Sequence, residues 1–108
     1  MNGVPEISVH DLPDGAALLD VREDDEWAAG HIDGAVHVPL SDVPARLADL
    51  PEGDPLYVVC RSGNRSGRAA AWLAYQGIDA VNVAGGMKAW ASAGKPMAAD
   101  PGRTPTVI

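Results

Sequence analysis

The stretch Val58-Val59-Cys60-Arg61-Ser62-Gly63-Asn64-Arg65-Ser66-Gly67-Arg68 decides the fold of this 108-residue chain. Its apolar start is typical of a buried strand, and the small and polar residues that follow are typical of a loop leading into a helix. The only cysteine therefore lies between the carboxyl end of a strand and the amino end of a helix. Backbone N–H groups and the positive end of the helix dipole meet at such a position. The sequence predicts a thiol in an anion-binding loop.

The chemistry expected of Cys60 follows from that position. An ordinary thiol, with a pKa of about 8.5, is only a few per cent ionised at neutral pH. Lowering the pKa by one unit requires roughly 1.4 kcal/mol of preference for the anion. The N–H donors of the loop and the guanidinium groups of Arg61 and Arg65 would together lower it by about two or three units. We therefore interpret Cys60 as a nucleophile, and an exposed thiolate would also be sensitive to oxidants.

Composition bounds the class of protein. A chain of 108 residues with 46% apolar residues forms one domain with its own core, and one cysteine excludes an internal disulfide. A lone thiol suits a reducing, cytoplasmic setting, and Met1-Asn2-Gly3-Val4-Pro5 lacks the character of a signal peptide. The net charge of −7 argues against nucleic acid or an anionic membrane as partner. We expect no bound metal or cofactor, because no Cys/His cluster is present.

The charges are unevenly distributed along the chain. No acidic residue occurs between Asp54 and Asp79, whereas Arg61, Arg65 and Arg68 all lie in that interval. Chance on a short chain would explain such a window. The alternative interpretation is a binding site for a small anion, with Arg68, inside the predicted helix, in a structural role.

Strands and helices alternate along the sequence. Strands are predicted at 6–7, 17–21, 34–38, 56–59 and 80–83, and helical segments at 8–11, 23–29, 41–50, 66–76 and 85–93. This alternation predicts an α/β fold with a parallel sheet covered by helices on both faces. Ligands of such sheets bind at the carboxyl ends of the strands. The residues expected at that edge are Cys60, Asp20, Arg22, Gly85 and Gly86.

The last residues have a different composition. From Lys95 onward, three prolines and one glycine interrupt any regular pattern. We expect a domain over residues 1–94 and a proline-containing tail over 95–108. The tail either runs over the surface or is frayed into solvent.

Three motifs resemble those of the single-domain rhodanese-like sulfurtransferases. The first runs from Asp20-Val21-Arg22-Glu23 through Gly30-His31-Ile32-Asp33-Gly34-Ala35 to Pro39, the second is Cys60-Arg61-Ser62-Gly63-Asn64-Arg65-Ser66, and the third is Gly85-Gly86-Met87-Lys88-Ala89-Trp90. They occur in the family's order and spacing between about residues 6 and 94. Any one of them alone is weak evidence, but three in register are specific.

The resemblance implies a five-stranded parallel sheet and a catalytic Cys60 that carries sulfur as a persulfide. It further implies a substrate cradle made by the backbone N–H groups of Arg61, Ser62, Gly63, Asn64 and Arg65. A basic residue directly after the cysteine resembles thiosulfate-using members, so Arg61 favours thiosulfate as the sulfur donor. The implied acceptors are cyanide, a small thiol or a protein thiol.

The roles of the flanking polar residues stay open at this stage. Arg65 either binds substrate or braces the loop through a salt bridge to an acid. Asp20 and Arg22 are expected to brace the loop rather than take part in the chemistry. His31 and His37 lack the spacing of metal ligands, which favours core or capping roles for both.

Two other functions compete with sulfur transfer from thiosulfate. Phosphatases and arsenate reductases with a comparable loop place an arginine six residues after the cysteine, where this chain has Ser66 and has its arginine at Arg65 instead. A shorter loop suits a single sulfur atom better than a phosphoryl group. The other alternative is a persulfide relay that serves another protein, which the residues named so far do not exclude.

Overall fold

The computed structural model describes residues 4–108, which are built around a five-stranded parallel sheet. Its strands lie in the order β1-β5-β4-β2-β3, and every neighbouring pair is parallel. They are β1 (Glu6–Ser8), β2 (Leu18–Asp20), β3 (Val36–His37), β4 (Leu56–Val59) and β5 (Ala80–Ala84). This arrangement confirms the predicted α/β fold. Residues 1–3, which begin the segment inspected for a signal peptide, lie outside the described residues.

Three α-helices and two 3₁₀ segments alternate with the strands, and the last helix follows β5. The helices are α1 (Asp24–Ala29), α2 (Asn64–Tyr75) and α3 (Gly86–Ser92), and the 3₁₀ segments are Val9–Asp11 and Leu40–Asp49. Within residues 4–108, no helix has both the length and the apolar character needed to cross a membrane.

Most element boundaries lie within one or two residues of the sequence prediction, and two elements differ more. Leu40–Asp49 is a 3₁₀ segment rather than an α-helix, because Pro44 lacks an N–H group and Arg46 leaves helical geometry. Strand β3 is shorter than predicted because the N–H of Ala35 donates to Ile32 in a turn. Neither difference moves the carboxyl edge of the sheet.

Both faces of the sheet are covered, as predicted, and β4 shows how. Leu56 and Val58 pack on one side in a core that includes Ala69 and Leu73 of α2. Tyr57 and Val59 point to the opposite side, towards a second core that includes Met87 and Trp90 of α3. Successive side chains of this buried strand point to opposite faces of the sheet and thus contribute to two cores.

The sheet order brings three strand ends together. Strand β4 lies between β5 and β2, with Asp20 paired to Val59 and Asn82 paired to Val58. Because all strands run the same way, their carboxyl ends share one edge. Cys60 directly follows β4 at that edge, next to the ends of β2 and β5.

The two histidines for which core or capping roles were expected stack on one tryptophan. The ring of Trp27 lies parallel to His31 at a centroid distance of 3.7 Å and to His37 at 4.9 Å. Nδ1 of His31 lies 2.8 Å from the carbonyl oxygen of Trp27, and Nε2 of His37 lies 2.7 Å from that of Arg22. Since a carbonyl only accepts, both ring nitrogens donate. Among residues 4–108, no three His, Cys, Asp or Glu side chains group as metal ligands.

Residues 95–108 pack along the domain instead of fraying into solvent. Ala98 pairs with His31 in an antiparallel bridge, and the N–H of Thr106 donates to the carbonyl of Ala29 at 2.9 Å. Nε of Arg61 donates to the main-chain oxygen of Ile108 at 2.9 Å. The tail therefore runs from the end of α1 to the cysteine loop.

Gly30 permits this course, so we expect Gly30→Ala to release the tail. A Cβ atom there would come within 2.5 Å of the main-chain oxygen and 2.8 Å of the nitrogen of Thr106. The variant should lose amide protection at Thr106 and be cleaved faster within 95–108, while the sheet amides keep their protection. Hydrogen exchange and limited proteolysis measure both. Unchanged exchange at Thr106 would show that the close approach does not hold the tail.

Candidate active site

Cys60 begins the predicted loop, and its sulfur accepts hydrogen bonds. The N–H of Gly63 lies 3.1 Å from Sγ, and the hydroxyl of Ser66 lies 3.2 Å away. The residue is only 1% exposed, which differs from the exposed thiol expected from the sequence. Its position at the carboxyl edge explains the burial, because α2 and the segment before α3 close over the end of β4.

The surroundings of Cys60 favour its anion. Burial raises the pKa of the thiol, but hydrogen bonds from the Ser66 side chain and from the N–H groups of Ser66, Gly63 and Ser62 lower it by more. The pKa of Cys60 therefore lies below the ordinary thiol value. This direction agrees with the prediction that hydrogen-bond donors around the sulfur stabilise its anion.

The start of α3 fixes the direction in which the loop's peptide groups point. The N–H of Met87 donates to the carbonyl of Cys60 at 2.8 Å, and that of Lys88 donates to the carbonyl of Arg61 at 2.9 Å. Gly86 lies so close that a Cβ atom there would overlap the carbonyl oxygen of Cys60. In a trans peptide, the C=O and the N–H point in opposite directions. Because these carbonyl groups are turned towards α3, the N–H groups of the same peptides point away from α3 and are free to face the sulfur.

Arg65 is bound to an acid of α1. Its two terminal nitrogens donate to the two oxygens of Glu26 at 2.6 and 2.7 Å. The hydrogen bond from Arg65 lowers the pKa of Glu26 against the effect of burial, and the pair is only partly exposed. Of the two roles left open by the sequence, this contact has the geometry of the loop brace. A direct role for Arg65 in binding substrate stays a prediction.

We expect Glu26→Gln to destabilise the domain in a pH-dependent way. Because folding lowers the pKa of Glu26, the ion pair stabilises the fold above the ordinary carboxyl pKa of 4.5 and is lost as the pH falls through the folded-state value. Glutamine keeps the oxygen that accepts from the N–H of Glu23. The expected loss at pH 7 is about 1 kcal/mol, shrinking towards acid. Urea unfolding across this range measures it, and a loss that is constant with pH would contradict the prediction.

Asp20 and Arg22 form a buried ion pair beside the loop. Both residues are 0% exposed, and Nε and Nη2 of Arg22 donate to the carboxylate of Asp20 at 2.7–3.0 Å. Arg22 also donates to the carbonyls of Gly30 at 2.8 Å and Glu26 at 3.3 Å. The pair therefore holds the carboxyl end of α1, the helix that carries Glu26, against β2. Its contacts suit the bracing role predicted for both residues.

The remaining predicted site residues differ in how they contact the sulfur and the rest of the domain. Arg61 extends towards Ile108, and Ser62 and Asn64 are exposed at the loop. The N–H groups of Ser62 and Gly63 are the loop donors that lower the pKa of Cys60. The structure thus brings the sulfur, the first loop peptides and the α1 brace together. Substrate binding by these residues stays a prediction.

Three residues of the site were not assigned by sequence reasoning. Ser66, Asn82 and Glu26 touch the sulfur or the groups that hold its loop. A signal was present for Asn82, since a polar residue in the otherwise apolar stretch 80–84 marks a buried hydrogen-bonding position. Glu26 was indistinguishable from the other acids in the first turn of its helix.

Fold and site together define a class of protein. It is a small α/β domain in which a cysteine with a lowered pKa sits in a loop of N–H donors, between a parallel strand and the helix that follows it.

Comparison with known sequences identifies the family. Residues 8–93 match the rhodanese-like domain, and the chain belongs to that family. It is 41% identical over 96 residues to the "Putative sulfur carrier protein YrkF" of Bacillus subtilis, covering 82% of this chain but only 52% of YrkF. The chain thus spans about half the length of that relative. It is 37% identical over 89 residues to the thiosulfate sulfurtransferase GlpE of Pseudomonas entomophila, covering 82% of each.

A solved structure supports the same assignment. The chain is similar to a rhodanese-related protein from Thermoplasma volcanium, with a TM-score of 0.80 and 31% sequence identity. The similarity covers 87% of this chain and 97% of that protein. The resemblance inferred from three sequence motifs is therefore confirmed, and the family to which the chain belongs includes sulfurtransferases and sulfur carriers.

Proposed function

We propose that this domain is a sulfurtransferase that moves a sulfane sulfur from thiosulfate, or a similar donor, to cyanide or a thiol through a persulfide on Cys60. The observation that carries the proposal is the pair of hydrogen bonds to Sγ, from the N–H of Gly63 at 3.1 Å and the hydroxyl of Ser66 at 3.2 Å. They sit where an anionic sulfur needs stabilising and keep the thiol pKa low. The reaction needs no cofactor, and a lone working thiol suits the reducing cytoplasm.

The proposed transfer has two balanced steps. The Cys60 thiolate attacks the outer sulfur of thiosulfate, a sulfur–sulfur bond forms, and the bond to the sulfonate breaks so that sulfite leaves with the electron pair. Cyanide or a thiolate then attacks the outer sulfur of the persulfide, which releases thiocyanate or a new persulfide and restores the Cys60 thiolate. Dividing the transfer in this way is what a covalent nucleophile contributes. The fixed N–H groups stabilise the sulfur anion before and after each step.

Thiosulfate is favoured as donor by the charges at the loop. Arg65 is bound by Glu26, whereas Arg61 makes no ion pair with an Asp or Glu side chain among residues 4–108. A dianionic donor is attracted by the charge of Arg61 and by the N–H groups of the loop. The name of the relative GlpE, a thiosulfate sulfurtransferase, points the same way.

We expect Arg61→Ala to slow sulfur uptake from thiosulfate at low ionic strength more than at high. Salt screens an exposed charge over a distance of about 10 Å at 0.1 M, so the loss should shrink as salt is added. Single-turnover uptake rates at several salt concentrations measure the effect. Arg46→Ala removes an arginine remote in sequence from the loop and serves as the matched control. An equal loss at every concentration would mean that Arg61 does not act through long-range attraction.

A persulfide relay is the second candidate function. The relative YrkF is named "Putative sulfur carrier protein", which supports this role. The same persulfide would form, but both donor and acceptor would be proteins.

The phosphatase alternative finds less support. A phosphoryl group needs an arginine that is free to bind its oxygens, whereas Arg65 is engaged at both terminal nitrogens by Glu26.

The test is intact mass spectrometry of the protein before and after incubation with thiosulfate, followed by cyanide. We expect a gain of one sulfur atom that disappears with cyanide. Gain only from a protein persulfide would favour the relay. No gain from either donor, together with hydrolysis of an aryl phosphate, would overturn the proposal in favour of a phosphatase.

A further inference from the structure

Ser66 has two possible acceptors for a single proton. Its side chain is fully buried in the first turns of α2, with Oγ 3.2 Å from Sγ of Cys60 and 2.6 Å from Oδ1 of Asn82. A serine hydroxyl carries one hydrogen and can donate fully in only one direction at a time. The sulfur and the amide oxygen therefore compete for it.

The orientation of Asn82 is fixed by its other contacts. Its Nδ2 lies 3.0 Å from the carbonyl oxygen of Gly63 and 2.9 Å from Oε2 of Glu6, both of which only accept when Glu6 is ionised. Turning the amide over would place an oxygen against these two acceptors. Oδ1 of Asn82 therefore faces Ser66, where it can only accept. Asn82 is 3% exposed, so water does not readily replace Ser66 as its donor.

The competition has a different outcome in each state of the sulfur. When Cys60 is a thiol, its S–H can donate to Ser66 while Ser66 donates to Asn82, and every group is satisfied. When Cys60 is a thiolate, no proton remains on the sulfur, and Ser66 stabilises it only by turning its own proton away from Asn82. Oδ1 of Asn82 then loses its donor inside the protein.

We propose that Ser66 and Asn82 act as a pair that sets how readily Cys60 ionises: Ser66 positions a proton for the sulfur anion, and Asn82 restrains Ser66 by competing for that proton. Asn82 acts through Ser66, so it is a positioning residue. The inference rests on the proposed function for the requirement that the sulfur react as an anion, and it adds a means of setting the thiolate population.

Among the charged groups near the sulfur, Glu6 loses a hydrogen-bond donor in Asn82→Leu, whereas the arginines and Glu26 keep their contacts. Arg65, from α2, carries the charge that interacts with Cys60, and Glu26 of α1 holds it. Arg61 follows the cysteine and binds Ile108. Glu6, on β1, reaches the pair through Asn82. Removing the side chain of Asn82 leaves Gly63 with a donor, since its carbonyl also accepts from the N–H of Gly67 at 3.1 Å.

The test is the pH titration of the thiolate by its ultraviolet absorbance, which needs no sulfur donor and reports a single thiol, since the chain has one cysteine. The titration of Cys60→Ser is subtracted to remove the absorbance of the two tyrosines. Ser66→Ala should raise the titration midpoint by about one pH unit, because a donor to the anion is lost.

Asn82→Leu should lower the midpoint, because Oδ1 of Asn82 no longer competes with the sulfur for the Ser66 proton. The double variant should titrate like Ser66→Ala alone, and Ser66→Thr should restore the wild-type midpoint.

The outcomes separate this inference from the proposed function. If the titration midpoint of Asn82→Leu rises or stays constant, the proposed competition for the Ser66 proton is wrong. It is also wrong if the shifts of the two single variants simply add in the double variant. If Asn82→Leu does not fold, Asn82→Val removes the same acceptor with a residue suited to a strand. Failure of wild type to take up sulfur would overturn the proposed function, whereas the titration shifts would still decide the role of the pair.

Discussion

Cys60→Ser is expected to abolish both the gain of sulfur from thiosulfate and the turnover to cyanide. A serine hydroxyl does not ionise near neutral pH, so the two donors that stabilise the sulfur anion, Gly63 and Ser66, have no anion to act on. With one cysteine in the chain, no other thiol replaces it. Steady-state thiocyanate formation and intact mass measure the loss, which should reach the uncatalysed background.

A control must show that Cys60→Ser loses activity because the thiol is missing and not because the domain unfolds. Tyr75→Ser changes a side chain that is 92% exposed at the end of α2, and it should keep wild-type turnover. Thermal unfolding of both variants should match that of wild type within a few degrees. Residual cyanide-dependent turnover in folded Cys60→Ser would rule out the persulfide mechanism.

Arg22→Met is expected to cause the largest loss of stability. It would leave the carboxylate of Asp20 fully buried without its counter-ion and would remove the donors to the carbonyls of Gly30 and Glu26. Breaking a buried ion pair by removing one partner costs about 3–5 kcal/mol. Urea unfolding at neutral pH measures the loss, and a variant that no longer folds at 25 °C agrees with it.

Two variants separate burial from charge as the cause. Arg46→Met breaks the Arg46–Asp49 pair, whose side chains are 42% and 57% exposed, and should cost less than about 1 kcal/mol. Asp20→Leu combined with Arg22→Met removes both buried charges and should recover most of the stability. Equal losses of unfolding free energy in Arg22→Met and Arg46→Met would contradict the conclusion that burial of the ion pair causes the large effect.

The sequence predicted the parts of the fold that depend on local patterns. Alternation of apolar strands with helices identified the parallel sheet, and the strand–loop–helix around Cys60 placed the cysteine at its carboxyl edge. Both predictions rest on short-range chemistry: side-chain periodicity, glycine in turns, and the dipole at the start of a helix. The 3₁₀ geometry of Leu40–Asp49 was not predicted, because a proline within a helical pattern is compatible with more than one backbone geometry.

The contacts that complete the site join residues far apart in the chain. Glu26 and Arg65 are 39 positions apart, and Glu6 and Asn82 are 76 apart. Nothing in the composition of α1 shows which of its acids faces Arg65, and nothing near residue 66 shows that Asn82 will meet it. Burial of Cys60 likewise results from how the loop, α2 and α3 pack together, which no single stretch of sequence records.

The anchoring of the Cys60 and Arg61 carbonyls by Met87 and Lys88 involves main-chain atoms alone. These two hydrogen bonds therefore do not depend on which side chain occupies position 60. A domain of this fold that had lost its thiol would retain the N–H groups of the loop, and with them a preformed site that binds a small anion without transforming it. Catalyst and binding module would then differ by a single atom, sulfur or its replacement, within an otherwise unchanged frame.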